Sequence, residues 1–116
     1  MGKRILIVED EVISAMALER MLADIGYIIV GTVVTGEDAV EWTKRERPDI
    51  VAMDIRLAGK MDGIAAASKI MAESGTPIVF MTGYDDKETK DRALKLKPLG
   101  FMTKPVDKAR FVGFLK

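Results

Sequence analysis

Side chains that could do chemistry follow four short apolar runs in this chain. They are a pair of acids, a lone acid, a hydroxyl and an ammonium group, at Glu9 and Asp10, Asp54, Thr82 and Lys104. A carboxylate flanked by a divalent cation, a hydroxyl and an ammonium group suits phosphoryl transfer, because these groups stabilise charge on the transferred oxygens. The pattern therefore predicts Asp54 as a nucleophile that becomes an aspartyl phosphate.

The composition excludes other chemistries. The chain contains neither Cys nor His, which excludes thiolate nucleophiles, cysteine–zinc sites and imidazole bases. A bound metal would have to be one that prefers oxygen ligands, such as Mg²⁺, Mn²⁺ or Ca²⁺. Lys plus Arg and Asp plus Glu both number 18, so no net field favours nucleic acid or a membrane surface, and we expect neither as a direct partner.

The length of 116 residues suits one domain that spans residues 1–116. Apolar residues make up 48% and charged residues 31%, which are ordinary values for a soluble globular protein. No apolar run approaches the length of a membrane span, and the N-terminus lacks the apolar core of a signal peptide. We therefore expect a cytoplasmic protein.

Hydrophobic periodicity predicts five strands that alternate with five helices. The strands are expected at residues 5–8, within 27–33, and at 50–54, 78–81 and 101–103. The helices are expected at residues 12–25, 35–47, 63–73, 86–96 and from 107 or 108 to the end. This alternation indicates a parallel sheet covered on both faces, and the predicted fold is a flavodoxin-like, doubly wound (βα)5 sandwich with strand order 2-1-3-4-5.

Apolar spacing also predicts which helix residues point inward. In the first helix these are Leu18, Leu22 and Ile25, with Ile13, Ala17 and Met21 beside them. The polar fourth helix offers only Ala93, Leu94 and Leu96, and the last helix offers Phe111, Val112 and Leu115.

The predicted strand order brings three acids to one crevice. Winding reverses between strands 1 and 3, so Glu9, Asp10 and Asp54 meet at the carboxyl ends of these strands. Crowded carboxylates repel one another unless positive charge lies among them. A divalent cation and Lys104 would supply that charge.

Five segments, in this order along the chain, resemble the receiver domain of two-component response regulators. They are Ile5-Leu6-Ile7-Val8-Glu9-Asp10-Glu11, Met53-Asp54-Ile55-Arg56-Leu57, Met61-Asp62-Gly63-Ile64, Phe80-Met81-Thr82-Gly83 and Lys104-Pro105. The resemblance runs from Lys3 to the C-terminus. It implies a phosphorelay signal receiver in a two-component system, which catalyses only its own phosphorylation and dephosphorylation.

The resemblance implies a phosphorylation and metal site. Asp54 would accept the phosphoryl group from a phosphohistidine on a sensor histidine kinase or a histidine phosphotransfer protein. Mg²⁺, with Mn²⁺ as a substitute, would be bound by Glu9, Asp10, Asp54 and the backbone carbonyl of Arg56.

The resemblance also implies a switch. Thr82, helped by the amide of Gly83, and Lys104 would bind phosphoryl oxygens, and the peptide bond from Lys104 to Pro105 is expected to be cis. Phe101 stands at the aromatic switch position of the family. The surface formed by helix 4, strand 5 and helix 5 would then change and present itself to an output domain or a second copy of the chain.

The chain departs from the family pattern in three places. Phe101 lacks the hydroxyl of the commoner Tyr, so only ring packing remains for switching. The loop at residues 57–62 is one residue longer than the commonest form and lacks its proline, which should alter the rim of the site. The chain stops within or just after the fifth helix, so we expect either a stand-alone receiver or a part of a larger response regulator or hybrid kinase.

Other readings of these residues stay open. Glu9 and Asp10 could cap the first helix, and Thr82 and Lys104 could be ordinary strand-end residues. A phosphatase with an aspartyl-phosphate intermediate would usually carry a second acid where this chain has Arg56. A flavin or nucleotide binder would want a Gly/Ser/Thr-rich loop after the first strand, where Glu9 would repel phosphate. A degenerate receiver would lack part of the set of acid, Thr and Lys.

Overall fold

Five parallel strands form one sheet at the centre of the molecule. The computed structural model describes residues 2–83 and 86–114, and its strands are paired in the order β2-β1-β3-β4-β5. They are β1 (Arg4–Val8), β2 (Ile28–Val33), β3 (Ile50–Asp54), β4 (Ile78–Thr82) and β5 (Gly100–Thr103). The predicted fold class and strand order are therefore confirmed.

Four helices connect successive strands, a fifth follows β5, and together these helices of the described residues cover both faces of the sheet. They are α1 (Val12–Asp24), α2 (Gly36–Glu46), α3 (Gly63–Ser74), α4 (Lys87–Leu94) and α5 (Lys108–Phe114). Side chains of α1 and α5 pack on one face, and those of α2, α3 and α4 pack on the other. Within the described residues, no helix is both long and apolar enough to cross a membrane.

Local sequence signals explain where several helices begin and end. The Thr35 hydroxyl accepts a hydrogen bond from the Asp38 amide at the start of α2, as its position before the helix predicts. Gly75 adopts a left-handed φ of 67° and ends α3. Helix α4 is shorter than the predicted 86–96, because Asp86 is its cap and lies outside it.

The middle of the sheet is buried on both faces. Every residue of β3 and β4 is buried, as expected for parallel strands that are covered by helices above and below. Phe111 of α5 is fully buried and Val112 partly so, in agreement with the predicted inward face. Leu115, predicted to lie beside them, is outside the described residues.

Two helices expose apolar side chains that the spacing placed inside. In α1, Leu18 and Leu22 are buried, but Ile13 is 83% exposed and Ala17 is also exposed. In α4, Leu94 is 44% exposed. The prediction for these three residues was wrong, because a helix on a flat sheet buries a narrower stripe than its apolar residues occupy.

Candidate functional site

The carboxyl ends of four strands bring the chemically capable side chains to one edge of the sheet. Val8 pairs with Met53, so Glu9 and Asp54 leave neighbouring strands side by side. Thr82 pairs with Thr103, the residue before Lys104. The parallel register therefore brings groups that are far apart in sequence into one crevice.

Lys104 lies between two buried carboxylates. Its ammonium nitrogen donates to Asp54 Oδ2 at 3.0 Å and contacts Glu9 Oε1 at closer range. Glu11 Oε1 is 3.7 Å away at the outer rim. The side chains of Glu9 and Asp54 are only 1% and 6% exposed. This single cation therefore offsets one of the two negative charges that the ionised acids would place in the interior.

The two buried acids differ in pKa. Burial, a hydrogen bond with Glu9 and the charge of Glu9 raise the pKa of Asp54 from 3.8 to about 7. Burial also raises the pKa of Glu9, but hydrogen bonds from Lys104 and Asp54 outweigh it and hold the net pKa below its usual value. Of the two acids, Asp54 is therefore the one that binds a proton more readily near neutral pH.

The pKa of Lys104 is shifted upwards. Burial lowers it, but the contacts with Glu9 and Asp54 outweigh this effect. Lys104 is therefore a fixed positive charge in the crevice at physiological pH.

Three acids at this edge could hold a metal ion. Carboxylate oxygens of Glu9, Asp10 and Asp54 all lie within 4.8 Å of one another. Glu9 and Asp54 are buried and Asp10 is exposed, so the group opens towards solvent. An all-oxygen, anionic set of this size fits a small, hard divalent cation. Arg56 lies exposed in the turn that follows β3, and the role of its carbonyl stays a prediction.

The predicted switch residues lie beside this crevice on β4 and β5. Thr82 is fully buried at the end of β4, and its carbonyl accepts a hydrogen bond of 2.7 Å from the Lys104 amide. Phe101 is half-buried on β5, and the ammonium of Lys90 lies 5.7 Å from its ring centroid. The peptide bond between Lys104 and Pro105 is cis, as predicted.

Gly63 belongs to one of the five segments that resemble the receiver family, but its contact with the backbone of Asp54 was not predicted. Its amide donates to the Ile55 carbonyl at 2.7 Å, and its Cα faces the backbone of Asp54. A Cβ at this position would lie 2.0 Å from the Asp54 carbonyl oxygen. Only glycine permits this approach, and its place directly after the helix cap Asp62 is the signal that could have indicated it.

The longer loop at residues 57–62 rests on the start of α2. Ala58 forms an isolated parallel bridge with Thr35, and a Cβ on Gly59 would lie 3.3 Å from a carboxylate oxygen of Glu37. This loop therefore packs against the amino end of α2.

The family model for the response regulator receiver domain matches residues 5–116. The chain belongs to this family. It is therefore a signalling domain of two-component systems. The resemblance to receiver domains that the five sequence segments indicated is confirmed.

Two relatives show how this receiver compares with whole proteins. It is 38% identical over 103 residues to the transcriptional regulatory protein PdtaR of Mycobacterium tuberculosis, covering 89% of this chain and 50% of that protein. It is 34% identical over 116 residues to the chemotaxis protein CheY of Thermotoga maritima, covering 99% of this chain and 96% of that protein. The receiver thus spans about half of PdtaR and nearly all of CheY.

One solved structure with the same fold contains a magnesium ion. The receiver domain of a sensor histidine kinase from Pseudomonas aeruginosa superposes with a TM-score of 0.86 at 30% identity, covering 99% of this chain and 95% of that chain. That domain is described with a magnesium ion coordinated in its active site cleft.

Proposed function

We propose that Asp54 accepts a phosphoryl group from a phosphohistidine on a sensor histidine kinase or a histidine phosphotransfer protein. The observation that carries this proposal is the position of Asp54, a carboxylate 6% exposed, held against the Lys104 ammonium at 3.0 Å beside a cluster of acids. A buried carboxylate with a shifted pKa, next to a specific cation in a crevice, is the kind of group that functional sites use.

Mg²⁺, or Mn²⁺ in its place, would be held by Glu9, Asp10, Asp54 and the carbonyl of Arg56. The oxygen-only set of the first three residues and the magnesium ion described in the Pseudomonas relative support this choice. When bound, the cation would supply positive charge to the oxygens of the transferred group.

The chain's own residues account for the transfer. A carboxylate oxygen of ionised Asp54 forms a bond to phosphorus while the phosphorus–nitrogen bond to the donor histidine breaks, and the donor imidazole keeps that electron pair. A proton on Asp54 must first pass to solvent at the open side of the crevice, because only the ionised carboxylate is nucleophilic. Lys104 then pairs with a phosphoryl oxygen, and the Thr82 hydroxyl and the Gly83 amide donate to the others.

Phosphorylation would change the face made by α4, β5 and α5. The new group carries about two negative charges and three acceptor oxygens, which draw Lys104 and Thr82 towards it. Movement of Thr82 frees space for the half-buried Phe101 ring to turn inward. The altered face would then bind an output domain or a second copy of the chain, as a shift between two packings.

The test is incubation with acetyl phosphate and Mg²⁺, followed by intact mass spectrometry. We expect one labile phosphoryl adduct on the wild-type protein and none on Asp54→Asn or after metal chelation. An adduct of equal yield on Asp54→Asn would refute the proposal. Steady release of phosphate from many small esters would instead favour the phosphatase reading, which the presence of Arg56 in place of a second acid opposes.

Exposed apolar residues of α1 offer a docking surface for the phosphoryl donor. Val12, Ile13 and Met16 are 72%, 83% and 62% exposed, at the end of α1 that follows Glu9 and Asp10. Beside them runs a groove of about 230 Å³ that reaches Lys104 and is lined on its far side by Pro105 and Val106. A donor that seats an apolar helix face here would bring its histidine over Asp54.

Replacing Ile13 with Glu should slow phosphoryl transfer from a donor protein at least about tenfold, because a charge would be buried in the apolar contact. Labelling by acetyl phosphate should not change, since a small donor does not touch this surface. Ile28→Glu is the matched control, since Ile28 is 53% exposed at the amino end of β2, away from the crevice. Equal slowing by both variants, or slowing with acetyl phosphate as well, would contradict this surface.

A further inference from the structure

Helix α4 contacts the rest of the molecule through one buried alanine and two charged side chains. Among residues 87–94, all of which are described, Ala93 is the buried one. Two cations of the helix contact different elements. Lys90 lies over the Phe101 ring of β5, and Arg92 Nη2 lies 3.5 Å from Asp62 Oδ2 in the turn before α3. The helix therefore touches the site region through two separate contacts.

Asp62 uses its two carboxylate oxygens for two different purposes. Oδ1 accepts a hydrogen bond of 2.8 Å from the Ala65 amide and caps α3. Oδ2 faces Arg92. The cap holds the Asp62 side chain in one orientation. The attraction between Arg92 and Oδ2 therefore acts on the backbone of the turn and not on a freely rotating group.

The backbone of this turn is locked to that of the phosphorylation site. Gly63, directly after Asp62, donates to the Ile55 carbonyl at 2.7 Å and lies against the Asp54 carbonyl. The contact is so close that a single added carbon would overlap with the Asp54 oxygen. A displacement of Asp62 would therefore shift the backbone of Asp54 and Ile55 as well.

We propose that Arg92 is a positioning residue for the phosphorylation site. Together with Asp62 it forms a second link between α4 and Asp54, separate from the one through Thr82 and Phe101, and this ion pair belongs to the unphosphorylated arrangement. The inference rests on the proposed phosphorylation of Asp54. A contact made only in the resting arrangement opposes phosphorylation by its own free energy, so its loss favours the phosphorylated arrangement.

The exposure of the pair sets the size of the effect. The side chains of Arg92 and Asp62 are 51% and 41% exposed, and ion pairs of this kind are weak and screened by salt. We expect a shift of about two- to fivefold in an equilibrium at low ionic strength, and none at 1 M salt.

The first test is binding of beryllofluoride, a phosphoryl analogue, in the presence of Mg²⁺. Arg92→Gln and Asp62→Asn should each raise the affinity about two- to fivefold, and the double variant should bind no more tightly than either. Asn keeps the helix cap, so Asp62→Asn removes only the charge. Arg92→Lys should behave as wild type, and so should Lys95→Gln, which removes the same charge from the end of the same helix.

The second test is amide hydrogen exchange of the metal-free protein, which needs no phosphorylation. Arg92→Gln and Asp62→Asn should speed exchange about two- to fivefold in residues 87–94 and also at the Gly63 amide, again without additivity. Faster exchange in α4 alone would show a purely local contact and overturn the link. So would additive effects, or equal effects of Lys95→Gln. Failure of beryllofluoride to bind even the wild type would instead count against the proposed function, while coupled exchange at Gly63 would still support the link.

Discussion

Asp54→Asn is expected to stabilise the metal-free protein at pH 8 by about 2–4 kcal/mol. Asp54 is 4% exposed and its pKa is raised to about 7 by burial and by Glu9, so its ionised form is disfavoured in the folded protein. Asn has nearly the same shape and carries no charge. It removes the repulsion with Glu9 and leaves Lys104 to pair with Glu9 alone.

The gain should depend on pH in a defined direction. Between the unfolded pKa of 3.8 and the folded pKa of about 7, the folded state binds more protons at Asp54, so wild-type stability falls as the pH rises. The difference between Asp54→Asn and wild type should therefore be small at pH 4, grow up to pH 7 and then level off. Glu9, whose pKa is lowered, contributes in the opposite sense in the wild type.

Urea unfolding with a chelator present, at several pH values from 4 to 8, measures this difference. Millimolar Mg²⁺ should shrink it, because the cation would stabilise ionised Asp54 in the wild type. A variant that is less stable than wild type at pH 8, or a difference that does not vary with pH, would contradict the electrostatic description of the site.

Gly63→Ala should destabilise the protein by about 3 kcal/mol or more, the upper range for overpacking. The added Cβ would lie 2.0 Å from the Asp54 carbonyl oxygen and 2.8 Å from the Ile55 Cα. Both neighbours are backbone atoms, so no side-chain rotation relieves the overlap. Since the displaced backbone carries the acceptor, labelling of the remaining folded protein by acetyl phosphate should also fall.

Gly113→Ala is the matched control for this substitution. Gly113 lies in α5, and a Cβ there meets no atom within 4 Å. We expect a change of at most about 1 kcal/mol, in the stabilising direction, because Ala is the better helix former. Equal stability of Gly63→Ala and wild type in urea unfolding would show that the turn adapts and does not fix the position of Asp54.

The sequence was sufficient for the fold because its signals are local and agree with one another. Short apolar runs such as residues 50–53 are typical of buried strands, and Thr35 and Gly75 mark helix ends. The parallel order then follows from the alternation of strands and helices. The same order brings Glu9 and Asp54 together.

The parts that could not be predicted depend on distances between elements. Periodicity placed Ile13 inside, since it cannot distinguish a side chain that covers a sheet from one that faces a partner. The contacts that Lys104 makes with Glu9 and Asp54 depend on rotamers in the unphosphorylated crevice. The ion pair of Arg92 with Asp62 joins helix α4 to the turn before α3. No local sequence signal gives the relative position of these two elements.

The most direct measurement of the central claim is to locate the phosphoryl group on the chain. After phosphorylation with acetyl phosphate and Mg²⁺, borohydride reduction converts an aspartyl phosphate into homoserine, which peptide mass spectrometry can assign to one position. We predict homoserine at position 54 and no reduced side chain at any other acid, including the neighbouring Glu9 and Asp10. Reduction at another acid, or a stable phosphate ester on Thr82, would contradict the account.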